Sequence, residues 1–340
     1  MAVRVAINGF GRIGRATFRA AVESGADVEI VAVNDVVDAE LLAHLLRHDT
    51  IYGPFPGEVE AAPHGLLVDG REVAVPAVTD PAWLPWQELG VDVVLECTGK
   101  FRKRLDAQKH LNAGAKKVVI SAPATEPDAT FVIGFNDHTY EPEHHAIISN
   151  ASCTTNCLAP VAKVLHEGVG IKHGVMTTVH AYTGDQQLID APHKDYRRAR
   201  AAAANLVPTS TGAAKAIGLV IPELEGKLKG YAVRVPVITG SMVDLTVEVE
   251  RPTTAEEINA LFREHADTGP LEGILKYTEE PLVSSDVIKS NYSSIFDSQL
   301  TIVVNDTQVK LVSWYDNEWG YSARLIELAA MVGAPLALAV

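Results

Sequence analysis

Over its first 120 residues the chain alternates short apolar runs with longer stretches of helical periodicity. Val3 to Ile7, Val28 to Val33, Val91 to Cys97 and Lys117 to Ile120 read as buried strands. Arg12 to Ser24, Ala39 to His48 and Asp106 to Ala113 carry the three-to-four-residue apolar spacing of helices between them. Strictly alternating β and α segments predict an α/β doubly wound parallel sheet. Beyond residue 150 the texture changes. Gly230 to Val237, Met242 to Glu250 and Gln308 to Trp314 show the two-residue alternation of strands with one covered face, and Thr211 to Val220 and Thr254 to His265 read as helices. This half predicts an α+β domain with a mostly antiparallel sheet. Trp319 to Val332 is helical again and follows the last strand, so it is expected to return to the first domain. The expected division is residues 1–150 with 318–340, and 151–317.

At 340 residues and 47% hydrophobic content, the chain is long enough for two packed cores. The N-terminal apolar run is too short for a secretion signal and has no small-residue cleavage site behind it; the apolar tail Ala334 to Val340 is too short to span a bilayer. Three cysteines form an odd set without metal-type pairs, so neither a disulfide framework nor a metal site is expected, and the cytoplasm is the expected location. A formal charge of -14 repels phosphodiester backbones, which argues against nucleic acid as a partner. The basic run His193 to Arg200 could still hold a small anion.

Gly9-Phe10-Gly11-Arg12-Ile13-Gly14 fits GxGxxG between the first strand and the first helix. Glycines there permit a tight turn and the close approach of a pyrophosphate. The second strand ends at Asp35, about twenty residues on, where a carboxylate bonds adenosine ribose hydroxyls. Strand, helix and acid in this register identify a Rossmann-type dinucleotide site, and Asp35 would repel a 2'-phosphate, favouring NAD over NADP. Thr98-Gly99 and Ser121-Ala122 end the next two strands; by spacing alone they are equally well ordinary turns or part of the ligand edge.

Ser149 to Cys157 reads Ser-Asn-Ala-Ser-Cys-Thr-Thr-Asn-Cys and opens an amphipathic stretch continuing through Leu158, Val161, Ala162 and Leu165. A cysteine at such a helix start meets backbone N–H groups and the positive end of the dipole, so a stabilised Cys153 thiolate is expected. A nucleophilic cysteine beside a nicotinamide suggests aldehyde oxidation through a thioester, which needs a base. His180 ends the strand-like Gly174 to Val179. It could pair with the thiolate and take a proton as hydride leaves, although spacing alone favours a structural histidine. Cys157, one turn beyond Cys153, and Cys97 at a strand end read as core packing.

Together, Ala6 to Arg15, Ser149 to Cys157, Thr209-Ser-Thr-Gly-Ala-Ala-Lys215, Arg234-Val-Pro236 and Trp314-Tyr-Asp-Asn-Glu-Trp-Gly-Tyr321 carry a resemblance over nearly the whole chain. The sequence resembles the phosphorylating glyceraldehyde-3-phosphate dehydrogenases of bacterial type, which serve glycolysis. The resemblance implies Cys153 as nucleophile and His180 as base. It implies Ser152, Thr154, Thr211 and Gly212 as one anion pocket, with Thr183, Asp185, Arg198 and Arg234 binding substrate or attacking phosphate; Arg197 and Arg200 stay open as a solvated or subunit-facing strip. On the cofactor side it implies Arg12 and Ile13 at the pyrophosphate, beside the motif glycines Gly9, Gly11 and Gly14, with Asp35 at the ribose, Thr98 and Ser121 along the cleft, and Asn317 at the nicotinamide amide. Its substrates would be glyceraldehyde 3-phosphate and inorganic phosphate. Such proteins are usually homotetramers, with the segment from about Tyr182 to Val207 against a neighbour. Thr79 and Gly184 depart from the pattern, whereas Pro192 and the apolar Val36 after Asp35 fit NAD; NAD with some NADP tolerance is the expectation. The segment after Val332 looks longer than usual. Two rival readings stand beside this one: erythrose-4-phosphate dehydrogenase, against which Thr183 and Thr211-Gly212 argue, and a non-catalytic NAD-binding scaffold, against which Cys153 with His180 argues.

Overall fold

The computed structural model describes residues 2–337. Two compact units divide the chain: one runs up to Ala151 and resumes at Ser322, the other is Ser152–Tyr321.

The first unit is built on a nine-stranded sheet. From one edge its strands are Ala129–Thr130, Ile147–Ser149, Lys117–Ile120, Val93–Glu96, Val3–Asn8, Val28–Asn34 and Arg71–Ala74, each parallel to the next. An antiparallel meander of Gly65–Val68 and Val59–Ala62 extends the far edge. The central strands are buried on both faces and mostly apolar, as a parallel sheet sandwiched by helices requires. Helix α1 (Arg12–Ser24) buries Ala16, Phe18, Ala20 and Ala21 and stops at Gly25, whose φ of 65° few side chains tolerate. Helix α2 (Ala39–Arg47) starts on Asp38, whose carboxylate accepts the Leu41 N–H at 2.8 Å. Helix α3 (Arg104–Asn112) buries Ala107 and His110.

The second unit has an eight-stranded sheet in the order Val207–Ser210, Leu228–Val235, Ile171–Ala181, Ser241–Val249, Gln308–Tyr315, Ser294–Asp297, Leu275–Thr278, with Ile302–Val304 also pairing with Gln308–Tyr315. Most pairs are antiparallel; the exceptions are Ile171–Ala181 with Leu228–Val235, and Leu275–Thr278 with Ser294–Asp297. Helices α4 (Cys153–Val169), α5 (Ala213–Val220) and α6 (Ala255–His265) pack on the sheet. The strict buried-intermediate alternation of Ser241–Val249 records which face they cover. Helix α7 (Trp319–Ala337) begins in this unit and ends in the first. It runs past Val332, and the tail beyond residue 337 lies outside the described residues. Among the described residues no helix is long and apolar enough to cross a membrane.

Candidate active site

Ser152 determines where α4 starts. Its Oγ accepts the Thr155 N–H at 3.0 Å and its backbone is extended, so helical geometry begins at Cys153. The nucleophile candidate therefore occupies the first helical position, as expected. From there Cys153 Sγ lies 3.5 Å from Nε2 of His180, near the end of strand Ile171–Ala181. The parallel partner strand puts Arg234 directly beside His180 in register. Arg234 Nη1 approaches His180 Nδ1 to 2.7 Å and donates to the Ala181 carbonyl at 3.2 Å. That carbonyl also lies 2.7 Å from Nδ1. The carbonyl accepts from Nδ1–H in one tautomer, and the guanidinium, a donor only, donates to a bare Nδ1 in the other, so the two contacts select opposite tautomers. With the hydrogen on Nδ1, the Nε2 lone pair faces the sulfur.

The expectation of a stabilised thiolate is corrected by burial. Desolvation pushes the Cys153 thiol up, and the Arg234 charge with the N–H groups of the helix start only partly oppose it. Burial first, and Arg234 second, drive His180 down to about 3. The resting pair is thus thiol and neutral imidazole in contact. Burial pushes Cys97 and Cys157 to about 12, and Cys157 is wholly enclosed against Ser294 and Ser313.

Thr183, Asp185, Arg198 and Arg234 form one connected set. Arg234 Nη1 donates to Thr183 Oγ1 at 3.4 Å, Thr183 Oγ1 donates to Asp185, and Arg198 Nη1 donates to Asp185 at 2.6 Å. Burial works to raise Asp185, but the Thr183 hydroxyl and Arg198 hold its carboxyl below the usual range. Thr209 and Asp195, not singled out from sequence, complete the set: Arg198 Nε donates to Thr209 Oγ1 at 2.9 Å, and Thr209 Oγ1 to Asp195 at 2.6 Å. Thr211 and Gly212 precede α5, with Thr211 Oγ1 accepting the Ala213 N–H at 3.2 Å.

Two members of the expected anion pocket turn their side chains inward. Ser152 Oγ is occupied as the helix cap, and the buried Thr154 Oγ1 bonds Tyr315 OH at 2.9 Å. Tyr315 OH also bonds Thr178 Oγ1 at 2.9 Å, and its ring meets His180 edge-on at 6.0 Å. Tyr315 thus braces both arms of the Cys153–His180 pair, which only the folded register reveals. Asn317 Oδ1 accepts from Ser241 Oγ at 2.8 Å and Thr239 Oγ1 at 3.4 Å. Ser241 Oγ also accepts the Ala181 N–H at 3.1 Å, which ties Asn317 to the end of the His180 strand.

In the first unit the glycine-rich turn is tight enough to need its glycines. Gly9 has φ of 94°, and a Cβ there would fall 2.6 Å from the Thr98 amide nitrogen; a Cβ on Gly14 would fall 2.2 Å from the Gly9 carbonyl oxygen. Gly11 caps α1, and a Cβ there would meet nothing within 4 Å, so this side of the turn leaves the helix start open to an anion. Arg12 and Ile13 open the helix; the Arg12 guanidinium pairs with Asp49 and lies over Tyr52. Asp35 accepts the Phe10 N–H at 2.9 Å and the Val36 N–H at 2.7 Å, one on each oxygen, leaving lone pairs for ribose hydroxyls. Thr98 and Ser121 follow the ends of neighbouring parallel strands. These features fit a dinucleotide with an unphosphorylated ribose.

Known proteins match both units. Residues 3–104 match the family model described as glyceraldehyde 3-phosphate dehydrogenase, NAD binding domain, and residues 152–317 the one described as its C-terminal domain. The chain is 57% identical over 336 residues to glyceraldehyde-3-phosphate dehydrogenase of Streptomyces coelicolor, spanning 99% of this chain and 100% of that protein. It is 57% identical to that of Geobacillus stearothermophilus (98% and 99% covered) and 58% identical to glyceraldehyde-3-phosphate dehydrogenase 1 of Bacillus subtilis (98% of each). The chain belongs to the glyceraldehyde-3-phosphate dehydrogenase family.

Proposed function

We propose that the protein oxidises and phosphorylates glyceraldehyde 3-phosphate to 1,3-bisphosphoglycerate, through a thioester on Cys153 and with NAD as cofactor. The observation that carries this reading is Cys153 Sγ at 3.5 Å from Nε2 of His180. Cys153 attacks the aldehyde carbon while His180 takes the thiol proton and returns it to the developing alkoxide. NAD, when bound, supplies the acceptor for the hydride that the adduct then loses. As hydride leaves, Nε2 takes the hydroxyl proton and Nδ1 stays bonded to Ala181, leaving a thioester. Arg234, Arg198 and Thr183 offer the forked and hydroxyl donors that phosphate oxygens require, for the substrate phosphate and for the inorganic phosphate that cleaves the thioester. The amide of Asn317, held by Ser241, serves the nicotinamide carboxamide, and the backbone at Ser152, Thr154, Thr211 and Gly212 lines the anion pocket.

A homotetramer in the cytoplasm belongs to the same reading. Leu188, Ile189, Tyr196 and Leu206, all more than two-thirds exposed in the single chain, supply an apolar surface for a neighbouring subunit.

The test is NADH formation by purified protein with glyceraldehyde 3-phosphate, with and without inorganic phosphate, beside arms with erythrose 4-phosphate and NADP. Fast, phosphate-dependent turnover on the triose with NAD supports the proposal. Phosphate-independent turnover favouring the tetrose replaces it with the hydrolytic dehydrogenase, and NAD binding without turnover replaces it with a scaffold role.

A further inference from the structure

Three neighbouring strands of the NAD-binding unit end on Asn34, Asn8 and Glu96, which face one another in register. Each strand then runs directly into the cofactor edge: Asn34 into Asp35, Asn8 into Gly9, Glu96 through Cys97 into Thr98. The three side chains are buried and joined, and the direction of every hydrogen bond between them is set from the ends.

At one end, the Val78 N–H donates to Asn34 Oδ1 at 2.9 Å and Asn34 Nδ2 donates to the Val78 carbonyl at 2.8 Å, so the Asn34 amide cannot flip. Asn34 Nδ2 also donates to Asn8 Oδ1 at 2.8 Å, which turns Asn8 Nδ2 onto Glu96 Oε2 at 2.6 Å. At the other end, the Trp86 indole N–H, which can only donate, reaches His110 Nδ1 at 2.9 Å. The ring hydrogen of His110 therefore sits on Nε2 and points at Glu96 Oε2, 3.1 Å away. On Oε1 the Thr98 N–H arrives at 2.8 Å beside the Thr98 hydroxyl, whose oxygen accepts the Lys100 N–H at 3.0 Å. Both carboxylate oxygens of Glu96 thus accept from donors that cannot reverse. Glu96 is 1% exposed, and among the described residues no Lys or Arg pairs with it.

We propose that Glu96 is a positioning residue for NAD. As the common acceptor of the network it holds the Gly9 turn, Asp35 and Thr98 in one register, so that pyrophosphate, ribose and cleft contacts are available together. A glutamine at this position brings an NH2 against donors that cannot turn away, so the edge must shift. The inference rests on the reading of this edge as the NAD site.

The test is NAD binding to the full-length protein by titration calorimetry, with melting temperature and the KM for NAD against kcat measured in parallel. For Glu96→Gln the expected result is an NAD Kd raised about tenfold or more, the KM for NAD rising in step, and kcat at saturating NAD within about twofold of wild type. Trp86→Phe removes a bond at the end of the network remote from the cofactor edge; it is expected to lower the melting temperature but keep the Kd within about twofold. If Glu96→Gln does not fold, Thr98→Val removes only the hydroxyl arm and is expected to raise the Kd about threefold. Wild-type affinity in Glu96→Gln or, should that variant not fold, in Thr98→Val, or equal loss in Trp86→Phe, overturns the proposal. No NAD binding by the wild-type protein would instead defeat the cofactor reading itself.

Discussion

Replacing Arg234 by glutamine removes a cation from behind His180 and tests how the thiol is tuned. Arg234 Nη1 is 2.7 Å from Nδ1, and Cys153 Sγ is 3.5 Å from Nε2. Across the imidazole this places the charge roughly 7 Å from sulfur, where an effective dielectric of about 20 makes it worth about 2.4 kcal/mol, or roughly 1.7 pH units. The sign follows from the ion formed: a nearby cation favours thiolate and lowers the thiol pKa, so its removal raises it. Cys153 is partly exposed, and solvent screening trims the expected rise to about 1–1.7 pH units. The assay is the pH dependence of alkylation by iodoacetamide, an uncharged reagent that separates thiolate formation from the anion binding Arg234 also performs. Alkylation at neutral pH is expected to slow by roughly ten- to fiftyfold, while Arg234→Lys, which keeps the charge, retains most of the wild-type rate. A midpoint that stays in place or moves down in Arg234→Gln refutes the electrostatic account.

Other substitutions probe separate parts of the site. His180→Asn is expected to slow hydride transfer about 10²–10⁴-fold in pre-steady-state NADH formation, and a rate within a few-fold of wild type would remove His180 as the base. Gly9→Ala forces a Cβ to 2.6 Å from the Thr98 amide at a φ of 94°; NAD binding measured by fluorescence quenching is expected to weaken more than about tenfold, and unaltered binding would show that the turn has room. Tyr315→Phe strips a partner from two buried hydroxyls, each bonded at 2.9 Å, and is expected to cost about 1–3 kcal/mol in denaturant unfolding; no loss would mean that Thr154 and Thr178 find other partners.

Features carried by local pattern were legible in the sequence. The first parallel strands, α1, the cysteine at a helix start and the histidine at a strand end all follow from spacing, and the structure brings Cys153 and His180 into contact. The meander at Val59–Ala74 was not legible, because four-residue strands on a sheet edge have too few positions to show a period. Helix α5 starts at Ala213 and not at Thr211, since the Thr211 hydroxyl accepts the Ala213 N–H outside the helix. The roles of Tyr315, Thr209, Asp195 and Glu96 depend on cross-strand register between segments distant in sequence. The thiol shift shows the same limit: a helix start is visible in the order of residues, whereas the desolvation that outweighs it exists only after packing.

The central claim is a thioester on Cys153, and peptide mass spectrometry of acid-quenched protein tests it most directly. After mixing with NAD and glyceraldehyde 3-phosphate in the absence of inorganic phosphate, the account predicts a 3-phosphoglyceroyl group on the peptide bearing Cys153, formed with one NADH per acyl group and lost when phosphate is added. NADH formed without acylation of Cys153, or an acyl group on Cys97 or Cys157 instead, would contradict it.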